Sequence, residues 1–480
     1  MLRGPLSNGR QTDVGLLGAA AGDRSECHFA LNTEASSSRL GRDFWFFQTG
    51  QMISTVGDAC GNIALTWWIL DVTGSPGSVS TVLASAMVVQ TMVTPLLGPL
   101  GDRFSRRRLI LGSDLLRGLM MAGLAMLALS EAFSIPAVIA VYIPFAIGSA
   151  LFNSNQMSIV PELVQADVLQ RAVRMSESLQ AIGRVFGGIV AGLLVTWVGV
   201  GSAFVVDAVS FALAALATAA ILERWRSGEA TESGRSSSEA TFFRQLRGGF
   251  HVIHRVPILF WLCVAITFFN LVLNPMFVLI PTYAKLTKGM PAWFLGGLES
   301  SMGAGIVLGA VAVGALEQWL KKVSSVVIGL LLLGGGIALL PHAPGVIAPM
   351  GAMFCVGIGA AWTNIPISTR VSVAVPDNFR SRVNSIISFL ADGTAPIGVA
   401  AAGVLVATIG VTASMTSLGA LVLLLVPVLF LIHGFADFFR RTPADLVGYF
   451  LTTYPEAFGA TGATIGPGPE RVGRKDDFQK

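Results

Sequence analysis

Charged residues are scarce in this sequence of 480 residues. They make up 12% of the chain, whereas hydrophobic residues make up 53%, and an ordinary soluble domain carries about 25% charged residues. Such a composition argues against a water-soluble domain, whose surface needs more charge. It is typical of a chain that places most of its surface in lipid.

Cysteine and histidine are also rare, and this limits the chemistry of the chain. The four cysteines are scattered without metal-ligand spacing, and the five histidines form no ligand arrangement, so neither a disulfide framework nor a metal site is predicted. The sequence contains no Walker loop and no nucleophile elbow, which argues against an ATP-driven pump or a membrane hydrolase. We therefore expect no enzymatic activity, no cofactor and no metal.

Long apolar segments are what the sequence has instead. A membrane of ~30 Å hydrocarbon thickness is spanned by about 20 apolar residues in a helix, and helices satisfy their backbone polar groups internally. Twelve segments meet this length, near 43–70, 79–101, 108–129, 135–157, 178–200, 202–222, 257–284, 294–316, 323–341, 345–370, 385–409 and 411–436. The predicted fold class is an all-α membrane protein of twelve transmembrane helices.

The positions of Lys and Arg predict the orientation of these helices. Short cytoplasmic loops are enriched in both residues, and placing both termini in the cytoplasm leaves only Lys285 and Lys288 outside. The predicted location is thus the cytoplasmic membrane, with the lipid bilayer as surroundings. Because topology explains the net charge of +4, that charge gives no reason to expect nucleic acid as a partner.

A polar, Ser-rich stretch at 223–240 divides the twelve spans six and six. The stretch 170–195 also aligns with 381–406 at an offset of 211 residues, which favours two homologous bundles around a central path. The predicted organisation is a disordered tail (1–40), an N-terminal six-helix bundle (41–222), a cytoplasmic linker (223–256), a pseudo-symmetric C-terminal six-helix bundle (257–440) and a second cytoplasmic tail (441–480).

Within the linker, four apolar residues recur at helical spacing among basic residues: Phe243, Leu246, Phe250 and Ile253. This pattern predicts an amphipathic helix on the inner membrane surface. The alternative is an extension of the seventh span.

One short loop between the second and third spans concentrates charge. Its sequence, GPLGDRFSRRR at 98–108, resembles the signature Gly-x-x-x-Asp-Arg-x-x-Arg-Arg of the major facilitator superfamily. WILDVTGSPGSVS, FRQLRGGFHVIHRVPIL and the pair Asp114 and Arg117 are similar to the bacterial branch that holds macrolide-efflux-type and enterobactin-exporter-type permeases. The resemblance covers about residues 40–440. It implies a transporter whose two bundles rock about a central cavity.

The resemblance also implies a role for this charged loop. An anion at a helix end can accept hydrogen bonds from arginines and from helix N-terminal amides, so the cluster would latch the bundles while the cytoplasmic side is closed. The alternative is a topology anchor, but that role gives no reason for the aspartate. The residues assigned to the latch are Gly98, Asp102, Arg103, Arg106, Arg107, Asp114 and Arg117.

Three carboxylates inside predicted spans are candidates for proton coupling. They are Asp58, Glu299 and Asp392. A charge in a membrane span is costly, so such a group pairs with a cation, binds a proton or faces water. For Asp58 a structural carboxylate bonded to neighbouring helices is an equal alternative, and Asp207 is interpreted as a packing residue.

Polar residues along spans one, four, seven and ten are candidates for a substrate cavity, because the resemblance implies that these spans line it. The candidates are Asn62, Asn155, Asn270, Asn274, Trp362 and Asn364. Asparagine in a membrane helix also serves as interhelical glue, and aromatic residues serve core packing. Small residues of the fifth span, at 183–192, predict close helix contact. They resemble the antiporter motif of the superfamily, except that Gly188 stands where proline is usual.

The sequence therefore predicts a secondary transporter that exports an amphipathic small molecule, such as a drug or a siderophore, in exchange for protons. The functional unit is expected to be a monomer. Import or lipid flipping by the same fold and a non-transporting sensor or scaffold remain alternatives.

Overall fold

The computed structural model describes residues 40–97, 104–165, 167–225, 250, 252–316, 322–432 and 434–458. Every regular element in these ranges is a helix. The N-terminal half consists of α1 (Arg42–Thr73), α2 (Pro76–Leu97), α3 (Arg106–Leu129), α4 (Ile135–Leu163), α5 (Leu169–Trp197) and α6 (Val200–Trp225).

The C-terminal half begins with α7, which consists of Pro257–Leu273, Met276–Thr282 and a π-helical segment Tyr283–Thr287. It continues with α8 (Ala292–Leu316), α9 (Lys322–Leu339) and α10 (Ile347–Ala374). Helix α11 comprises Asp377–Gly393 and the following residues up to a break at Gly410, where φ is 79°. Helix α12 comprises residues 411–431.

The predicted twelve-helix architecture is confirmed. Within the described ranges, ten helical stretches are long and apolar enough to cross a membrane, and the last of them, Asp377–Leu431, contains both α11 and α12. Helix α1 falls outside this set but has 32 residues, which at 1.5 Å per residue is ample for a span. The face of the membrane at which α1 begins and α12 ends is called the terminal face below, and the opposite face is called the far face.

Each half packs as a bundle. In the N-terminal bundle α1 packs on α5 and α6, and α3 packs on α4 and α6. In the C-terminal bundle α10 packs on α8 and α9, α9 on α12, and α7 on α11.

Two helix pairs join the bundles, and small residues make both approaches possible. Helix α5 meets α8 where Gly192 faces Ala292, and a Cβ on Gly192 would lie 2.9 Å from the Ala292 carbonyl oxygen. Helix α2 meets α11 where a Cβ on Gly403 would lie 3.1 Å from the Gly77 Cα. The predicted close contact by the small residues of α5 is confirmed.

Some boundaries differ from the sequence-based spans. Helix α11 begins at Asp377, eight residues before the predicted start at 385, because its first turns are polar and carry no hydrophobic signal. In the linker, Val252 and Ile253 are helical and buried, whereas Phe243 and Leu246 lie outside the described residues.

The chain continues beyond α12 in short helices: Phe435–Arg440, Pro443–Leu446, Tyr449–Thr453 and a 3-10 turn, Pro455–Phe458. Their phenylalanine side chains are buried, and Phe458 packs edge-on against Phe379 at the start of α11. The first part of the predicted C-terminal tail is thus folded onto the C-terminal bundle. Hydrogen bonds from the Thr442 side chain and main chain lower the pKa of Asp445, which caps one of these helices.

Candidate transport site

In the N-terminal bundle a buried carboxylate packs directly against the backbone of two glycines. Asp207 of α6 has no exposed surface, and it faces α1 at Gly57 and Gly61. A Cβ at either glycine would collide with the Asp207 or Ser210 side chain. One oxygen of Asp207 accepts a hydrogen bond of 3.4 Å from Ser210 Oγ, while Oδ2 has no hydrogen-bond partner among the described residues.

Helix α3 places a buried ion pair beside this carboxylate. Asp114 and Arg117 lie one helical turn apart, are fully buried or nearly so, and bind each other. The guanidinium of Arg117 lies between two rings, 4.1 Å from the Phe152 centroid and 4.4 Å from the Phe211 centroid. These rings fix the arginine by cation–π contact and keep water from it.

Asp58 completes the group. It lies on α1 between Gly57 and Gly61, is half-buried, and interacts electrostatically with Arg117 and with Asp207. Asp114 interacts with Asp58 in the same way. Asp58, Asp114, Arg117 and Asp207 therefore form one cluster, called the buried charge cluster below, of three carboxylates and one cation contributed by three helices.

Two of the remaining residues assigned to the latch, Arg106 and Arg107, lie at the terminal face. Arg106 binds Glu162, at the end of α4, with an N–O distance of 3.3 Å, and Arg107 lies 3.9 Å from the same carboxylate. Gly98, Asp102 and Arg103 lie outside the described residues. Asp114 and Arg117, assigned to the latch with them, lie in the buried charge cluster.

The C-terminal bundle contains a cavity of about 530 Å³. All its lining residues lie between Leu262 and Leu429, and they run from the middle of the bundle toward the terminal face. The walls are largely aliphatic and aromatic, with a band of polar side chains from α7, α10 and α11. The polar lining residues are Asn270, Thr363, Asn364, Ser368, Ser372, Asn384, Ser388 and Asp392.

Three predicted site residues, Asn270, Asn364 and Asp392, thus meet in this cavity. Two other predicted cavity residues lie in helix contacts. The Trp362 indole donates a hydrogen bond of 3.0 Å to the Gly309 carbonyl of α8, and Asn274 packs against α11 at Gly398.

The other candidates are separate from the cavity. Asn155 is buried and donates a hydrogen bond to the Leu151 carbonyl of its own helix. Asn62 is exposed on α1, one turn beyond Asp58. Glu299 is half-buried on α8 and precedes Ser300, whose hydroxyl donates to the Val185 carbonyl of α5.

An ion pair connects the bundles at the far face. Lys285, in the π-helical end of α7, binds Asp71 near the end of α1. Its ammonium also lies 4.4 Å from the Trp67 ring centroid. Nearby, the Trp293 amide of α8 donates to the Thr196 hydroxyl of α5 at 2.8 Å. These contacts hold the far-face ends of the two bundles together.

The sequence-based interpretation assigned Asp207 to packing, outside any site, and did not single out Asn384 and Ser388. Residues 384, 388 and 392 follow the i, i+4, i+8 spacing of one helix face, so this pattern was available in the sequence. For Asp207 the matching signal lies on another helix, in the glycines at 57 and 61.

Comparison with known proteins agrees with this architecture. The sequence profile described as Major Facilitator Superfamily matches residues 49–399. Macrolide efflux protein A of Streptococcus pyogenes is 22% identical over 77% of this chain and 90% of that protein. Multidrug efflux pump Tap of Mycolicibacterium fortuitum is 25% identical over 76% of this chain and 89% of that protein.

Solved structures show the same fold. A bacterial homologue of the iron transporter ferroportin, in an inward-facing state, superposes with a TM-score of 0.66 at 18% identity, over 84% of this chain and 100% of that one. Nucleoside transporter NupG superposes with a TM-score of 0.63 at 12% identity, with the same coverage. With the profile match over most of its length, the chain belongs to the Major Facilitator Superfamily of membrane transporters.

Proposed function

We propose that this protein exports an amphipathic small molecule, of drug or siderophore type, by alternating access in exchange for protons. The observation that carries the proposal is the cavity of about 530 Å³ in the C-terminal bundle. Its size and its apolar walls with a few polar groups are typical of small-molecule sites. The relatives described as efflux proteins support the outward direction.

Proton exchange is assigned to the buried charge cluster, with Asp58 as the exchanging group. Three carboxylates beside one guanidinium leave excess negative charge in a medium of low dielectric constant, which is costly unless protons bind. Asp58 is the least buried of the three, so it is the one that water reaches. A membrane potential of 100 mV supplies about 2.3 kcal/mol for each charge moved.

Contacts at the two membrane faces would control access of the substrate to the cavity. The Lys285 and Asp71 pair would close the far face, and the loop at 98–108 would latch the terminal face in the alternate state. Bundle rotation of this kind exposes one site to either side in turn. With the terminal face in the cytoplasm, as the loop arginines favour, the cavity faces the compartment from which an exporter loads. The monomer contains all of these parts.

The test uses purified protein in proteoliposomes with a pH-sensitive dye inside. A panel of fluorescent dyes, macrolides and siderophores is added to wild type and to the Asp58→Asn variant. Wild type is expected to move protons when a substrate is present. The variant should bind the same compound without moving protons, because the neutral amide cannot exchange one.

Asp167→Asn is the matched control, since Asp167 is an exposed carboxylate between α4 and α5. It should behave as wild type. Proton movement in Asp58→Asn equal to wild type would exclude Asp58 and leave Glu299 as the next candidate for coupling. Absence of any substrate-evoked flux in wild type would favour the sensor or scaffold.

A further inference from the structure

We propose that the cavity of the C-terminal bundle is a binding site for an organic monocation, with Asp392 as its counter-ion. The inference rests on the proposed function only in treating the bound cation as the transported molecule. Binding itself is independent of transport.

The charge of the cavity points to a cation. Among the described residues that line the cavity, Asp392 has the only ionisable side chain, and it is exposed to the cavity. Among the described residues its carboxylate forms no ion pair with Lys, Arg or His. A carboxylate in an apolar membrane cavity without a protein cation is stabilised by a ligand cation or by a proton. An anionic ligand would meet only repulsion there.

The apolar walls of the cavity favour an organic cation over a small inorganic one. Small inorganic cations such as Ca²⁺ require six to eight oxygen ligands, and the described residues hold no group of three or more His, Cys, Asp or Glu that could bind a metal. The cavity instead offers apolar contact from Phe269, Ile367 and Leu425. A large, weakly hydrated cation gains from that contact and loses little solvation on entry.

The polar band adds hydrogen-bonding capacity next to the charge. Asn384, Ser388 and Asp392 lie on one face of α11, and Asn364 of α10 also lines the cavity. Amide and hydroxyl groups can bind a ligand's carbonyl or hydroxyl groups, which fixes orientation within an otherwise apolar site. The preferred ligand is therefore a monocation that also carries a few neutral polar groups.

The position of Asp392 ties ligand binding to the motion of the bundles. The Thr91 hydroxyl of α2 donates to the Asp392 carbonyl oxygen at 3.5 Å, so this residue lies where α11 meets the N-terminal bundle. A cation bound at its side chain would lie next to the contact between α2 and α11, which changes when the bundles rotate. Rotation of the bundles would change the access of the cation to water.

The test is equilibrium binding to the purified protein in detergent, without a membrane or a gradient. Radiolabelled tetraphenylphosphonium is the probe, tetraphenylborate is the anion of matched shape, and triphenylphosphine oxide is a related neutral molecule. Wild type is expected to bind the phosphonium, with the borate and the oxide competing weakly. Asp392→Asn should weaken binding about tenfold or more, as loss of a charge partner does, and Asp392→Glu should retain it.

Asp377→Asn is the matched control, because Asp377 is an exposed carboxylate on the same helix, at its terminal-face end. It should bind as wild type does. Unchanged binding in a folded Asp392→Asn variant, or equal binding of phosphonium and borate by wild type, would overturn the proposal. So would the absence of phosphonium binding.

A second measurement locates the probe even if Asp392→Asn fails to fold. Ser388→Cys places a thiol in the cavity one turn from Asp392, and maleimide labelling at that position should slow when tetraphenylphosphonium is bound. Labelling at an unchanged rate would place the probe elsewhere and reject the site. Failure of the proposed function, by contrast, would appear as absent proton movement in proteoliposomes while this binding persists.

Discussion

The two bundles hold their polar groups in opposite ways. The N-terminal bundle packs three carboxylates and an arginine between helices, against glycines and aromatic rings, and all of them except Asp58 are almost fully buried. The C-terminal bundle spreads one carboxylate and several amides and hydroxyls around a cavity of about 530 Å³. Polar residues are thus packed together as charges in one half, and in the other half they surround a space that a ligand can enter.

Packing around the charges explains the difference. Charges held by close contact cannot rearrange to meet a bulky molecule, but they can gain or lose a proton, which needs no space. Polar groups around a cavity can meet ligands of varied shape. This difference supports the proposal that proton coupling belongs to the N-terminal half and ligand recognition to the C-terminal half. Three changes test the contrast between the two halves.

The largest effect is expected from Arg117→Ala. Removing the only cation of the buried charge cluster leaves buried carboxylates uncompensated, which should cost about 3–5 kcal/mol of unfolding free energy. The measurement is thermal unfolding in detergent, followed by tryptophan fluorescence. Arg108→Ala is the control, because Arg108 is exposed on the same helix, and it should have little effect. Equal stability of the two variants would show that the cluster is not held by its charge.

A smaller loss is expected from Gly61→Ala. The added Cβ would collide with Asp207 and force α1 and α6 apart, and overpacking of this kind costs about 1–3 kcal/mol. Gly112→Ala is the control, since a Cβ on Gly112 meets no atom within 4 Å. Thermal unfolding again gives the comparison. The double variant Gly61→Ala/Asp207→Ala removes the side chain with which the new Cβ collides, so it should recover part of the lost stability. Absence of any recovery would contradict a direct contact between positions 61 and 207.

The smallest effect is expected from breaking the ion pair that connects the two bundles at the far face. Lys285→Met removes the far-face ion pair with Asp71. Because the Asp71 side chain is 64% exposed, the pair should contribute only about 1 kcal/mol or less. That energy corresponds to a shift on the order of fivefold toward states with an open far face.

Spin labels at exposed far-face positions, on Ala132→Cys and Pro344→Cys, would measure this shift as a longer distance between the bundles. Lys288→Met is the control, because Lys288 binds the Ala343 carbonyl within the C-terminal bundle. It should leave the distance distribution unchanged. An unchanged distribution in both variants would remove Lys285 from the gate.

Helix positions could be predicted closely because the physical constraint is local. Each span must satisfy its own backbone and match the bilayer thickness, so hydropathy alone finds it. The start of α11 at Asp377 escaped this reasoning, since its first turns are polar and face the cavity and the terminal face. The folded segment at 434–458 escaped it as well, because short helices covered by aromatic packing have no span-like signal.

The functional residues show the same division between what one sequence segment determines and what the packing of several helices determines. The sequence by itself determined the all-helical fold, the two halves, the small-residue contacts of α5 and the presence of costly intramembrane carboxylates, because lipid makes each of these a property of one segment. Only the tertiary structure decided which carboxylates belong together. It joined Asp114, Arg117 and Asp207 with Asp58, and it placed Asp392 in the cavity of the C-terminal bundle. Those relations depend on the rotation and approach of separate helices, which no single segment encodes.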